Sequence, residues 1–146
     1  MFLDTGFLRS DEIVLRLDHT VEGNDALNWV PAYHFIICAP DGTPMGKCDL
    51  RVGHNSNTYY GGNIGYEIFE SYRGHHYAGK ACRLLFELAK AHGMRHVYIT
   101  CQPDNLPSSK TCEYAGGQLL GVKPIPEDND MYKRGEREIM IYQIML

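Results

Sequence analysis

The spacing of hydrophobic positions changes along this chain. Ile13 to Asp18 alternates as a half-buried strand does, and Ala32 to Ala39 is a longer apolar stretch rich in β-formers, closed by Pro40-Asp41-Gly42. That turn predicts a hairpin with a strand over Met45 to Val52. After a second turn-rich patch, Gly53 to Asn57, the stretch Tyr59 to Phe69 predicts a strand with Ile64, Tyr66 and Ile68 on one face and Glu67 on the other. From Ala78 to His92 the period becomes helical: Ala81, Leu84, Leu85, Leu88 and Ala91 recur at three- and four-residue steps, and Gly93 stops the run. His96 to Cys101 predicts a short strand. Leu106 to Ala115 predicts a helix, with Pro107 in its first turn and Gly116-Gly117 at its end. Leu119 to Val122 reads as a strand, Lys123 to Gly135 as a polar loop, and Glu138 to Leu146 as a closing strand apolar on both faces.

Several antiparallel strands followed by strand, helix, strand, helix, strand, strand predict a mixed α/β (α+β) fold. Its centre is a mixed, mostly antiparallel sheet flanked by helices, with a crossover unit in the middle. At 146 residues and 44% apolar content, one globular domain over 1–146 is expected. A net charge of −4 argues against a nucleic-acid partner, which would call for a basic surface. The five cysteines, Cys38, Cys48, Cys82, Cys101 and Cys112, are scattered without a C-x-x-C pair. Reduced, buried thiols are therefore expected rather than a disulfide framework or a zinc module. No apolar run approaches the roughly 18 residues of a membrane span. Met1 to Glu12 carries acids rather than the basic-then-apolar order of a signal segment, so a cytoplasmic protein with no membrane partner is expected.

The chemistry is concentrated between Tyr66 and Ala81, where a strand feeds a glycine-containing loop and a helix N-terminus. Free backbone N–H groups at such a junction, with the positive end of the helix dipole, cradle phosphates without a metal. Arg73 and Lys80 add full charges. Gly74 to Lys80 fits the G-x-x-x-x-G-K of a nucleotide P-loop, but Ala81 stands where that loop needs a magnesium-binding hydroxyl. Arg73-Gly74-His75-His76-Tyr77-Ala78 resembles instead the Arg/Gln-x-x-Gly-x-Gly/Ala loop of the GNAT N-acetyltransferase superfamily. It departs at His76, which stands for the middle glycine; histidine enters left-handed backbone conformations more readily than most residues. Ile99-Thr100-Cys101 followed by Asn105, Ser108 and Gly116 is similar to the family's fifth strand and the Asn-x-x-Ser/Ala helix after it.

The resemblance implies acetyl-coenzyme A as co-substrate, no metal, and transfer of an acetyl group to a primary amine. It implies a cofactor site made of the Ile68 backbone, the loop and helix start Arg73, Gly74, His75, His76, Tyr77, Ala78, Gly79 and Lys80, and Asn105 and Ser108. In the family a main-chain N–H of the splayed strand polarises the thioester carbonyl, a glutamate or a water chain takes the amine proton, and a tyrosine protonates the thiolate. Seven residues after Asn105, where that tyrosine usually lies, this chain has Cys112. Tyr114, two residues on, is turned by about 200° and faces away. Two catalytic candidates follow. Glu67 is the only acid within its strand, with a solvated role as the alternative. Cys112 is a thiol that titrates near about 8.5 when free, with simple burial as the alternative.

The family's acceptor wall comes from helices between the first two strands, where only Thr20 to Pro31 is available here. The wall is expected from Gly53 to Tyr60, from Lys123 to Gly135, or from a second subunit in a homodimer. Trp29, Tyr33, Tyr59, Tyr60 and Tyr66 either pack the sheet or line an amine pocket. The acceptor, a small-molecule or peptide amine, stays open, as does a competing reading as an acyl-coenzyme A-binding or sensor module without turnover.

Overall fold

The Pro40-Asp41-Gly42 turn, with Gly42 at φ 93°, folds β2 (Ala32–Cys38) back on β3 (Pro44–Arg51) in the computed structural model, which describes residues 2–146. β1 (Val14–Val21) and β4 (Ile64–Ile68) flank this hairpin to complete an antiparallel sheet in the order β1-β2-β3-β4. β5 (His96–Cys101), β6 (Gln118–Pro124) and β7 (Glu138–Met145) form a second antiparallel sheet in the order β5-β7-β6. β7 is central in it, which explains why it is apolar on both faces.

The apolar stripe of α2 (Tyr77–Ala91) buries Ala81, Leu85 and Leu88 in one core with Tyr33, Phe35 and Leu50 from the first sheet. Each such leucine contributes about 1.5–3 kcal/mol by leaving water. α3 (Leu106–Tyr114) starts at Asn105, whose Oδ1 accepts the Ser108 N–H, and carries Pro107 in its first turn. Among the described residues no helix is long and apolar enough to cross a membrane.

Two segments depart from the sequence pattern. The strand expected from Tyr59 to Phe69 is confined to Ile64–Ile68, because α1 (Ser56–Gly61) takes the preceding residues. Asn55 and Thr58 form a reciprocal capping box there, and Thr58 is buried, so the cap overrides the β-preference of Tyr59 and Tyr60. The expected Lys123 to Gly135 loop gives its first residues to β6 and contains a single helical turn, α4 (Asp130–Lys133), capped by Asn129.

The two sheets meet at Asn63. Its N–H donates to the Tyr98 carbonyl at 2.7 Å, and its Oδ1 accepts the Tyr98 N–H at 2.9 Å. Past that junction β4 and β5 belong to separate sheets, and among the described residues no strand pairs with the β4 edge away from β3.

Candidate active site

The splay opens into a cleft of about 570 Å³ between β4, the start of α2 and α3. Its lining includes Tyr66, Glu67, Ile68, Tyr72, Arg73, Gly74, His76, Tyr77, Ala78, Asn105 and Ser108. The chain leaves β4 at Phe69, makes a 3-10 turn over Glu70–Tyr72, and reverses at Gly74, φ 93°. His76 then enters the left-handed region at φ 62° and ψ 23°, the conformation a glycine would adopt freely. It is the N-cap of α2 and provides no side-chain cap, so the first N–H groups of this 15-residue helix stay available to a ligand.

Most of the residues singled out in the sequence converge on this cleft, but four do not. His75, Gly79, Lys80 and Cys112 lie outside its lining. The exposed His75 ring lies 5.4 Å from Tyr77. Gly79 is buried beneath the Tyr114 ring. Lys80 is ion-paired with Glu12, which raises its pKa first through that hydrogen bond. Cys112 is fully buried behind Tyr66, and its thiol is pushed far up by a hydrogen bond with Cys101 and by burial. Arg73 sits at the mouth, where its Nε donates to the Ile68 carbonyl at 3.0 Å. Glu67 projects from the outer face of β4 and pairs in register with Lys47.

Tyr66 was not separated from the aromatic cluster by sequence pattern, yet it forms the floor of the cleft. Its hydroxyl lies 2.6 Å from Ser108 Oγ and 4.0 Å from Cys112 Sγ, and burial raises its pKa well above that of a free phenol. The available signal was positional: Tyr66 shares the inward face with Ile64 and Ile68, but it lies on the strand next to the splay. Tyr114 points elsewhere, stacked on His76 at 4.6 Å with Arg83 4.4 Å from its ring. The segments expected to wall the acceptor, Gly53 to Tyr60 and Lys123 to Gly135, face each other across a separate pocket.

The family model of the acetyltransferase (GNAT) domain matches residues 9–118. Comparison with curated protein sequences gives no match. Among solved structures the chain is similar to the GNAT-family acetyltransferase from Bacillus anthracis, at 20% identity over 77% of this chain and 65% of that one, TM-score 0.61. It is similar to the microcin C7 self-immunity acetyltransferase MccE in complex with acetyl-CoA and AMP, at 23% identity over 79% of this chain and 61% of that one, TM-score 0.62. A third is the acetyl transferase from Salmonella typhimurium that modifies the N-terminal serine of the 50S ribosomal subunit protein L7/L12, at 18% identity over 83% of this chain and 66% of that one, TM-score 0.60. These identities establish a common fold, and the chain spans less than two thirds of the length of each of these proteins. Since the matched segment runs from ahead of β1 to the first residue of β6 and takes in the whole cleft, the chain belongs to the GNAT acetyltransferase family.

Proposed function

We propose that residues 1–146 form one acetyl-coenzyme A-dependent N-acetyltransferase domain that acetylates a primary amine. The observation that carries this reading is the free edge of β4 facing the same cleft as the uncapped, left-handed start of α2. That combination fits the co-substrate: an extended amide-containing arm can pair with a strand edge, and a pyrophosphate can sit on helix N–H groups. The backbone around Ile68 would hold the arm, and the N–H groups from Gly74 to Lys80 the pyrophosphate. Asn105 and Ser108 face the arm from α3. Arg73 would exchange its bond with the Ile68 carbonyl for a phosphate oxygen. His75, Gly79 and Lys80 would contribute through their main-chain N–H groups, since none of them lines the cleft with a side chain.

When bound, acetyl-coenzyme A supplies an activated acyl carbon. A free main-chain N–H on the β4 edge is suited to polarise its carbonyl. Glu67, exposed at the mouth, is suited to take the proton of an incoming ammonium directly or through water. Tyr66 and Ser108 keep a hydroxyl pair at the floor, while the raised thiol of Cys112 stays protonated and behind them. The Salmonella typhimurium neighbour acts on the N-terminal serine of a ribosomal protein, which makes a protein or peptide α-amine one acceptor class beside small amines. A cytoplasmic setting suits both.

Coenzyme A is expected to raise the melting temperature while magnesium-ATP leaves it unchanged, because Ala81 offers magnesium no hydroxyl. Arg73→Ala should weaken coenzyme A binding by about 1 to 3 kcal/mol through loss of a charge-assisted contact. A thiol-release assay over an amine panel then reads turnover. Equal stabilisation by both nucleotides would overturn the assignment, and binding without release on any amine would leave the non-catalytic acyl-coenzyme A module in its place.

A further inference from the structure

Strand alternation puts His34, Lys47, Asp49, Arg51 and Glu67 on the face of the first sheet that points away from α2. In register, Glu67 lies opposite Lys47, and Asp49 lies between His34 and Gly65, where its Oδ1 accepts the Gly65 N–H at 3.0 Å. A depression of about 410 Å³ on this face holds the acids Asp18, Asp49 and Glu67 together with the bases His19, His34 and Lys47; His19 lies 2.7 Å from Asp18 and His34 lies 4.0 Å from Asp49. It shares Tyr66 and Glu67 with the cofactor cleft. At His34 the depression adjoins a second pocket of about 490 Å³, walled by Trp29, Asn57 of α1, and α4 with Arg134.

Arg51 lies in the second pocket, half-buried, and among the described residues no carboxylate is within ion-pair distance of it. Its Nη1 donates to the Gly62 carbonyl at 3.2 Å, which holds the guanidinium in place, and its other donors have no partner among the described residues. A partly desolvated guanidinium without a counter-ion is unfavourable until an anion occupies its fork. Arg134 adds positive charge on the facing wall, tempered by its pair with Glu136 at 3.3 Å and by Asp130 beside it.

We propose that this pocket binds the anionic end of the acceptor, which is an amine that also carries a carboxylate. The inference rests on the acetyltransferase reading for the amine end alone. The ammonium sits between Asp49 and Glu67, at the end of the depression beside the cofactor cleft, and the carboxylate sits on Arg51. Asp49 and Arg51 are two residues apart on β3, about 7 Å, and the row of Glu67 lies four residues from Arg51, about 13 Å. An α-amino acid, whose two charges share one carbon, is too short to reach both ends. A six-carbon ω-amino acid spans the step from Asp49 to Arg51, the first residues of an acidic peptide span the longer one from the row of Glu67, and the half-exposed Trp29 gives the connecting carbons an apolar wall.

Trp29 is the only tryptophan, so its fluorescence reports on this pocket directly. Without any coenzyme, 6-aminohexanoate should perturb that fluorescence and bind about tenfold or more tightly than 6-aminohexanamide, the margin of a charge-assisted hydrogen bond pair. The same margin should appear in kcat/KM for thiol release, and it should collapse in Arg51→Gln. Because Arg51 also holds Gly62, the melting temperature of the variant is measured alongside; the acid-against-amide comparison on the unaltered protein needs no variant. A C-terminally amidated peptide with an acidic third residue, set against its neutral counterpart, distinguishes a peptide acceptor from a small one. If neither carboxylate-bearing ligand is preferred over its neutral partner, the proposal is wrong. Equal turnover of acid and amide sinks the anion pocket alone, whereas carboxylate-dependent binding with no thiol release from any amine sinks the acetyltransferase reading alone.

Discussion

A Cβ placed on Gly79 would lie 2.7 Å from Tyr114 Cε1, closer than any real side chain sits. The ring has little room to yield, since it is stacked on His76 at 4.6 Å and has Arg83 4.4 Å from its centroid, with the Arg83 guanidinium also bonded to the Tyr114 carbonyl at 3.0 Å. Gly79→Ala would gain about 1 kcal/mol of helix propensity but cost about 1–3 kcal/mol by overpacking. A net loss of stability is therefore expected on urea denaturation, turning to a gain in a Tyr114→Ala background; additivity of the two changes would contradict this packing. The same geometry takes Tyr114 away from the cleft and leaves Cys112 in place of the family's tyrosine. Cys112 is fully buried and its thiol pKa is raised, so it is a poor acid at any working pH. Cys112→Ala should cost about 1 kcal/mol of stability and leave kcat within about threefold. A rate loss of about 100-fold at normal stability and normal coenzyme A affinity would make Cys112 the proton donor instead.

Asn63 decides how β4 and β5 diverge. It is fully buried, and all of its polar groups are used: beyond the two bonds to Tyr98, its Nδ2 donates to the carbonyls of Arg51 at 3.0 Å and Gly53 at 2.8 Å, and its carbonyl accepts the Arg51 N–H at 2.7 Å. Asn63→Ala would leave the Tyr98 N–H and two carbonyls without partners, at about 1–3 kcal/mol for each such group. Unfolding and coenzyme A titration should both report the change; normal stability with normal affinity would show that the splay does not depend on this side chain. Nothing in the sequence singled Asn63 out, because its partners come from β3, the loop after it and β5, and one polar residue at a strand's start has no periodicity. By contrast, α2 and β5 were legible, α2 from its apolar stripe and β5 from its alternation, because both patterns are local and repeat. α1 was hidden because a two-residue capping box and one buried threonine outweigh two tyrosines that favour strands. The loop that lines the cleft between β4 and α2 is contiguous, so its glycine and its charges stand out in the sequence for a similar reason to α2. Tyr66, Asn63 and the Arg51 pocket were not, since each is assembled from segments distant in sequence.

Two of the histidines that join separate elements of the molecule, His54 and His92, set how its stability responds to acid. His54, between β3 and α1, stacks on His96 of β5 at 4.2 Å and meets Tyr98 edge-on at 5.6 Å. Burial, and then repulsion from His96, lower its pKa below the ordinary 6.5. His92, at the C-terminal end of α2, is 2.6 Å from the hydroxyl of Tyr33 on β2, which also accepts the Leu3 N–H at 2.7 Å. Burial lowers the pKa of His92 as well. Both imidazoles are thus held neutral in the fold, and the unfolded chain takes up protons first as the pH drops through 6.5. Their contribution is fully present above that value and is lost progressively as the pH falls through the lower folded values. The carboxylate of Asp41 does not interfere in this window. Hydrogen bonds from Thr43 lower its pKa below 3.8, so its contribution fades only in stronger acid. The melting temperature is therefore expected to be level above about pH 7 and to fall as the pH drops below 6.5, with a shallower fall in His54→Gln and in His92→Gln. A melting temperature that holds or rises over that drop in pH, or a slope that neither substitution changes, would mean that these histidines are not held neutral by the fold.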